Sequence, residues 1–356
     1  MNKINTIEDF KKIPIITKNE LIEHNKEIQN FSYNKNVFSE TSGSTGEPLT
    51  FYRNLKWDAG HRAAQLRGYS WHNVFPWEKN GYFWGYNFSL IKKIKVSFLD
   101  FILNRFRIFS YSSDEIRKFC KKLKKAAYLE GYSSMIYEVA KKINNEKLGP
   151  FNLKMIKGTS EKIFPNYQPE AIKAFGKKII SEYGAAEAGI IAFECKYGNM
   201  HITMENVIVE EENSEIIVTN LLSHSFPIIR YKLGDYISID SVTICPCGVK
   251  HPIIKDIYGR IGKNIVGFNQ TYPSLTLYYI FKNIILKHNI QINYQVVQKE
   301  RGKLEINIDR NLEDKYLLIL KEECFKYFKN DISVIINQNN LIRQRNVKFR
   351  DFISEL

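Results

Sequence analysis

No stretch of this 356-residue chain is apolar for long enough to cross a bilayer. Its most apolar segment, Ile91 to Phe109, is broken by Lys92, Lys93, Lys95, Arg105 and Arg107, whereas a spanning helix needs ~20 largely uncharged residues. That excludes stable membrane insertion by this segment. It reads instead as a partly buried helix with snorkelling lysines, and a basic, aromatic helix lying on a membrane surface is the rival reading. The opening residues, MNKINTIEDFKKIPIITKNE, lack the apolar run of a signal peptide, so a cytoplasmic protein is expected. Cysteine is scarce: five residues in such a chain make no disulfide framework. Internal repeats and low-complexity linkers are absent, and a chain of this length can bury a large core and a smaller second one.

Acidic residues are the minority, 38 against 52 basic ones, for a formal charge of +14. Such a charge suits nucleic acid, an anionic membrane face or phosphorylated ligands. The lysines, however, are spread along the whole chain without a basic tail. The densest group, Lys118 to Lys125, has helical spacing and reads as a solvated face. Anionic small molecules are therefore expected as ligands, and nucleic acid is not.

The periodicities predict an α/β fold. Residues 7–30 read as helical around a break at Pro14, with Thr17 capping the second piece. Helices are expected over 58–69, 113–125 and 135–144, and short buried strands at Met155-Ile156 and Ile179-Ile180. Segments 200–209, 215–220 and 235–240 alternate apolar and polar residues like antiparallel strands. A small α+β region then follows: helix 273–288, strands 292–298 and 303–309, helix 312–328 and strand 332–336. The expected domains are 1–260 and 261–356.

Residues 41–51, TSGSTGEPLTF, pack glycines and hydroxyls where a backbone could wrap a phosphate. The lysine of a Walker A loop is missing, which excludes that class of nucleotide site. By itself the segment is equally a flexible Ser/Gly turn. Its order among other motifs gives it more meaning. TSGSTGEP at 41–48 is followed by LEGYSSMIYEVA at 129–140, GTSEKI at 158–163, Tyr183-Gly184-Ala185-Ala186-Glu187, Arg230 to Asp235, and Gly259-Arg260. This series resembles the ANL superfamily of adenylate-forming enzymes, and within it the phenylacetate–CoA ligase-like branch that includes capsular-polysaccharide adenylating proteins. The likeness runs from about residue 8 to residue 356.

The resemblance implies a large ATP- and acyl-binding domain with a small mobile C-terminal domain, and a reaction joining a carboxylic acid to AMP with release of pyrophosphate. Thr41, Ser42, Gly43, Ser44, Thr45 and Gly46 would hold the β- and γ-phosphates, and Glu187 would help bind Mg²⁺. Gly158, Thr159 and Ser160 would face adenine, with Tyr183 and Gly184 beside it. Asp235 would accept from the ribose hydroxyls, assisted by Arg260. Lys348, in RNVKFR near the end, stands where the family places a lysine between carboxylate and α-phosphate; Val347 departs from the family's usual glycine. Lys263 would be the pivot of the small domain. Relatives carry several dozen more residues ahead of Pro14-Ile-Ile-Thr-Lys18, which puts part of the first subdomain and the acyl pocket in question. Trp84, Tyr86, Asn87 and Tyr132, with Gly131 and Ser133, are the pocket candidates. The acceptor is CoA or an amine or sugar, and the oligomeric state stays open.

Cys195-x5-His201 and Cys245-Pro-Cys247-Gly248 make a Cys3His set suited to tetrahedral Zn²⁺. All four positions would be protein ligands, so the metal would be structural, and some members of the branch carry such a zinc. Four ordinary reduced side chains are the alternative. Cys120 and Cys324 sit at apolar helix positions and should pack as small hydrophobes. Two other classes remain compatible with the chain: a non-catalytic nucleotide- or acyl-binding relative, and a charge-driven binder of nucleic acid or membrane surfaces.

Overall fold

The computed structural model describes residues 4–33, 36–41, 48–83, 90–108, 113–260, 264–272, 274–290, 292–340 and 351–356. In chain order its elements are α1 (Ile7–Lys11), α2 (Lys18–Glu23), α3 (Asn25–Ile28), β1 (Asn36–Glu40), β2 (Thr50–Asn54) and α4 (Leu55–Ser70). Next come β3 (Asn80–Phe83), α5 (Leu90–Ile102), β4 (Arg105–Arg107), α6 (Ser113–Leu123), β5 (Tyr128–Tyr132), α7 (Ser133–Asn145), β6 (Met155–Thr159) and α8 (Tyr167–Phe175). The strand-rich middle holds β7 (Ile179–Ala185), β8 (Gly189–Glu194), β9 (Met200–Ile202), β10 (Val207–Glu212), β11 (Glu215–Asn220), β12 (Tyr231–Asp240) and β13 (Ile253–Arg260). The last part holds β14 (Ile265–Val266), β15 (Thr271–Tyr272), α9 (Leu275–His288), β16 (Tyr294–Gln298), β17 (Lys303–Ile308), α10 (Asp314–Phe328), β18 (Ser333–Asn337) and β19 (Phe352–Ser354).

These elements form two compact units, each built from two chain segments: Met1–Trp71 with Glu182–Tyr258, and His72–Ser181 with Gly259–Leu356. The α/β class read from the periodicities is the one observed.

In the first unit the strands run in the order β10-β11-β12-β13-β9-β8-β7, beside a separate β1–β2 hairpin. The predicted cap at Thr17 is a full capping box: Glu20 N donates to Thr17 Oγ1, and Glu20 Oε2 accepts from Thr17 N at 2.7 Å. The expected strand 200–209 is split into β9 and β10. Thr203 causes the split, because its hydroxyl turns inward to the carbonyl of Ile190 and Asn206 N closes a turn on Thr203 O at 2.9 Å. The core gathers Leu21, Phe51, Ile191, Val218, Phe226 and Ile228, with the rings of Phe51 and Phe226 stacked at 5.0 Å. Burying each such side chain is worth roughly 1.5–3 kcal/mol.

The second unit contains a parallel ladder in the order β4-β3-β5-β6. Helices α5, α6 and α7 lie between successive strands of this ladder in the chain. Its register aligns Tyr82 with Arg107 and Glu130, and Glu130 with Lys157. The Lys157–Glu130 ion pair, at 3.0 Å, is buried. A mixed β18-β17-β16-β19 sheet and the helices α9 and α10 complete this unit. Its core includes both predicted packing cysteines, Cys120 and Cys324, whose thiols are pushed up by burial to about 11 and about 12. Among the described residues no helix is long and apolar enough to cross a membrane.

Candidate active site and metal cluster

The Tyr183–Glu187 motif lies where β7 turns into β8. The two strands pair with Tyr183 opposite Ala192 and Ala185 opposite Gly189, with a register shift between Tyr183 and Gly184. A Cβ on Gly184 would stand 2.3 Å from the Gly189 carbonyl oxygen, so this close approach requires glycine. The three residues left between the strands, Ala186 to Ala188, carry Glu187 at their centre. Its side chain is buried, 6% exposed. Tyr231 Oη donates to Glu187 Oε1 at 3.1 Å, and Asn220 Nδ2 donates to the Glu187 carbonyl at 3.2 Å. Neither Tyr231 nor Asn220 stood out in the sequence as a partner of Glu187. Tyr231 was legible through its place in the Arg230–Asp235 motif; Asn220, the last residue of a strand, had no signal.

Each named residue of the Arg230–Asp235 motif has a separate task. Arg230 reaches away from the site: Nε donates to Glu210 Oε2 at 3.1 Å and Nη1 to the carbonyls of Lys11 and Ile13. Tyr231 holds Glu187. Asp235, buried on β12, accepts from Tyr183 Oη at 2.6 Å, a charge-assisted bond that fixes the tyrosine ring. Thus Tyr183, Glu187 and Asp235 are tied to one framework inside the first unit.

Thr41 ends β1. Its N–H donates to the Leu49 carbonyl at 3.0 Å and its Oγ1 accepts from Leu49 N at 2.9 Å. Ser42, Gly43, Ser44, Thr45 and Gly46 lie outside the described residues, as do Trp84, Tyr86, Asn87, Lys263, Lys348 and the side chain of Arg260.

In the second unit Gly158 and Thr159 end β6, and Ser160 follows with a left-handed φ of 64°. Their neighbours on β5 are Gly131, opposite Gly158, and Tyr132, opposite Thr159. These are carboxyl ends of parallel strands, where open α/β sheets bind ligands. A Cβ on Gly131 would meet the Phe83 backbone at 2.6 Å, which explains glycine there. Ser133 opens α7, and the Ser134 N–H behind it donates to Glu161 Oε2 at 2.9 Å. Glu161 thus neutralises a helix N-terminus, a role that its place in GTSEKI did not signal. Burial, together with the Glu161 charge, raises the Tyr132 hydroxyl above its ordinary pKa.

The ligand atoms of Cys195, His201, Cys245 and Cys247 lie within 4.8 Å of one another. Strand pairing brings them together: His201 on β9 faces Phe193 of β8, two residues before Cys195, and Ile253 of β13, just past the Cys245–Gly248 knuckle. Cys195 Sγ and Cys245 Sγ are 3.7 Å apart, and Cys247 Sγ is 3.2 Å from His201 Nε2. A disulfide would need ~2.05 Å. Tetrahedral zinc with Zn–S of ~2.3 Å implies S···S edges of about 3.8 Å, so the spacing fits that ion. The surroundings fit as well. His201 Nδ1 faces the His251 carbonyl at 3.3 Å, which leaves Nε2 for coordination. Asn199 Nδ2 donates to Cys245 Sγ at 3.1 Å and Val249 N to Cys247 Sγ at 3.4 Å. Burial opposes ionisation of Cys245, but hydrogen bonds from the Cys247 backbone, Asn199, the Cys247 side chain and His201 outweigh it and lower its pKa. Burial raises that of Cys195.

No protein-family model matches the chain. Its fold is shared with solved ligase structures. A structure of 2-hydroxyisobutyryl-CoA ligase in the postadenylation state with 2-HIB-AMP aligns at a TM-score of 0.70, 17% identity, 99% of this chain and 82% of the ligase. ATP-bound MatB from Rhodopseudomonas palustris aligns at 0.55, 13% identity, 86% of this chain and 65% of MatB. In sequence the chain is similar to protein CapK of Staphylococcus aureus, with 28% identity over 269 residues, 72% of this chain and 60% of CapK. The chain thus spans about three-fifths of the length of that curated relative.

Proposed function

We propose that the protein activates a carboxylic acid with ATP. A carboxylate oxygen attacks the α-phosphorus, the bond to the β-phosphate oxygen breaks, and pyrophosphate leaves an acyl-adenylate. The observation that carries this reading is the buried Glu187, held by Tyr231 at 3.1 Å on the same framework in which Asp235 binds Tyr183 at 2.6 Å. Such a framework holds a carboxylate and an aromatic face in fixed positions before any ligand arrives, which is how electrostatic stabilisation avoids reorganisation cost.

In this proposal Tyr183 and Gly184 lie against adenine with Gly158, Thr159 and Ser160, and Asp235 accepts from the ribose hydroxyls with Arg260 assisting. Thr41 to Gly46 hold the outer phosphates. Glu187 is a ligand for Mg²⁺, which suits an ion that takes one or two carboxylates and otherwise waters and phosphates. When bound, that ion neutralises charge on the departing pyrophosphate. Lys348 places its ammonium between the carboxylate and the α-phosphate. The small C-terminal part, residues 261–356, turns about Lys263 for the second half-reaction. The Cys3His set holds a structural zinc.

Two ligase structures among the similar folds have CoA bound beside 2-HIB-AMP, which supports CoA as acceptor here. An amine or sugar acceptor, in surface-polysaccharide synthesis, is the alternative. A screen of aryl, fatty, amino and uronic acids for pyrophosphate release, with and without CoA, separates the two. A product thioester selects CoA. An adenylate that persists with CoA points to another acceptor. No release with any acid removes the proposal.

A further inference from the structure

The C-terminal end of helix α5 buries a charge and exposes apolar side chains. Its acid, Asp100, is buried and accepts from Arg105 Nε at 2.7 Å and from Arg107 Nε and Nη2 at 2.5 and 2.7 Å. Around the rest of the same helix end, Phe98, Leu99, Phe101 and Ile102 are exposed by 65%, 45%, 82% and 61%. Two further exposed aromatics adjoin it. Phe75 and Trp77 stack on each other at 5.0 Å, and Asn104 Nδ2 donates to the Trp77 carbonyl at 3.0 Å, tying their turn to the helix end. Clustered exposed apolar side chains of this kind mark a docking site.

The charge beside it identifies the occupant. Because β3, β4, β5 and β6 are parallel, the segments entering them lie along one edge of the ladder. On that edge the turn after α6 carries the exposed Lys124 and Lys125, following the exposed Lys121 and Lys122. Ala127 N donates to the Lys79 carbonyl at 2.8 Å, which sets the lysine turn beside the Phe75–Trp77 turn. The nearest acid of that turn, Glu78, is already paired with Lys154 at 2.6 Å. Large apolar side chains flanked by ammonium groups match a bilayer with anionic headgroups: the rings enter the headgroup boundary and the lysines meet the lipid phosphates.

We propose that this face of the second unit docks on an anionic membrane surface, through Phe98, Phe101, Ile102 and Trp77 with Lys124 and Lys125. The opposite ends of the same strands, bearing Tyr132 and Gly158 to Ser160, stay open to solutes. The docking is reversible and does not depend on the adenylation reading. The test is sedimentation of the full chain with phosphatidylcholine vesicles, with and without phosphatidylglycerol. The chain sediments with the phosphatidylglycerol vesicles and is released by salt. Phe98→Ser/Phe101→Ser binds at least about tenfold more weakly, and Lys124→Gln/Lys125→Gln loses the preference for anionic lipid. Circular dichroism stays unchanged, since all four side chains are exposed. Failure of the wild-type chain to sediment with anionic vesicles overturns the proposal, as does equal binding by the aromatic variant. A dimer that the aromatic variant dissolves, without any vesicle binding, assigns the face to a second copy instead and equally overturns it.

Discussion

Replacing Cys245 by serine tests the metal cluster at its most structured point. Cys195 Sγ, Cys245 Sγ and His201 are all buried, and the two sulfurs stand 3.7 Å apart, the edge length of a zinc tetrahedron rather than of two packed thiols. Serine removes one thiolate and leaves Asn199 Nδ2 donating to a neutral hydroxyl instead of to sulfur. Loss of a saturated structural site belongs to the large-effect class of substitutions, about 4 kcal/mol. In a unit of this size about 2–4 °C of melting temperature accompany each kcal/mol, so the variant should melt about 8–16 °C lower. The assay pairs elemental analysis with differential scanning fluorimetry: the native protein should carry one zinc per chain, and a chelator should reproduce the variant's melting curve. His251→Ala is the control. It keeps the backbone carbonyl that faces His201 and should keep the zinc. A native protein free of zinc, with a Cys245→Ser variant melting within about a degree of it, refutes the assignment.

Tyr231→Phe removes only the hydroxyl that donates to Glu187. Hydrogen bonds to charged groups are worth roughly 1.5–3 kcal/mol, so adenylation should fall about 10- to 100-fold with little change in melting, and an unchanged rate contradicts the role given to Glu187. Gly184→Ala forces a Cβ toward the Gly189 carbonyl at 2.3 Å; overpacking of this kind costs about 1–3 kcal/mol, measurable by urea titration. Glu130→Gln removes the carboxylate paired with the buried Lys157 and should destabilise by about 3 kcal/mol, whereas replacing both partners by apolar residues should recover most of it. Asp331 supplies a pH test. Burial pushes its carboxyl up, but bonds from the Asn269 backbone, Tyr272, the Gln270 backbone and the Asn269 side chain prevail and hold the pKa below its ordinary value. Its stabilisation is therefore complete above the unfolded pKa of ~3.9 and is lost as pH falls through the lower folded value. Asp331→Asn should flatten that part of the acid-unfolding curve.

Much of the fold was legible because periodicity and packing agree. The helices at 55–70, 113–123, 133–145 and 314–328 each contain or closely match their predicted spans, and the Thr17 capping box needed only two residues three apart. Three features escaped, each for a physical reason. Thr203 breaks a strand by turning its hydroxyl onto a carbonyl 13 residues away in sequence, which no local pattern encodes. Helix α5 was read as partly buried with snorkelling lysines, yet at its end the buried side chain is Asp100, held by two arginines of β4. Tyr231 and Asn220 hold Glu187 across separations of 44 and 33 residues, so the motif named the carboxylate but not its supports. The Cys3His set was readable because its spacing is dictated by the ligands themselves.

The claim that Glu187, Tyr183 and Asp235 form part of an adenylating centre is tested most directly by isotope exchange between pyrophosphate and ATP, measured across a broad panel of carboxylic acids in the presence of Mg²⁺. The account predicts exchange that depends on at least one acid and is abolished by Glu187→Gln in a protein that still melts normally. AMP binding without acid-dependent exchange under any condition would contradict it, and would leave a fold that binds a nucleotide but does not activate a carboxylate.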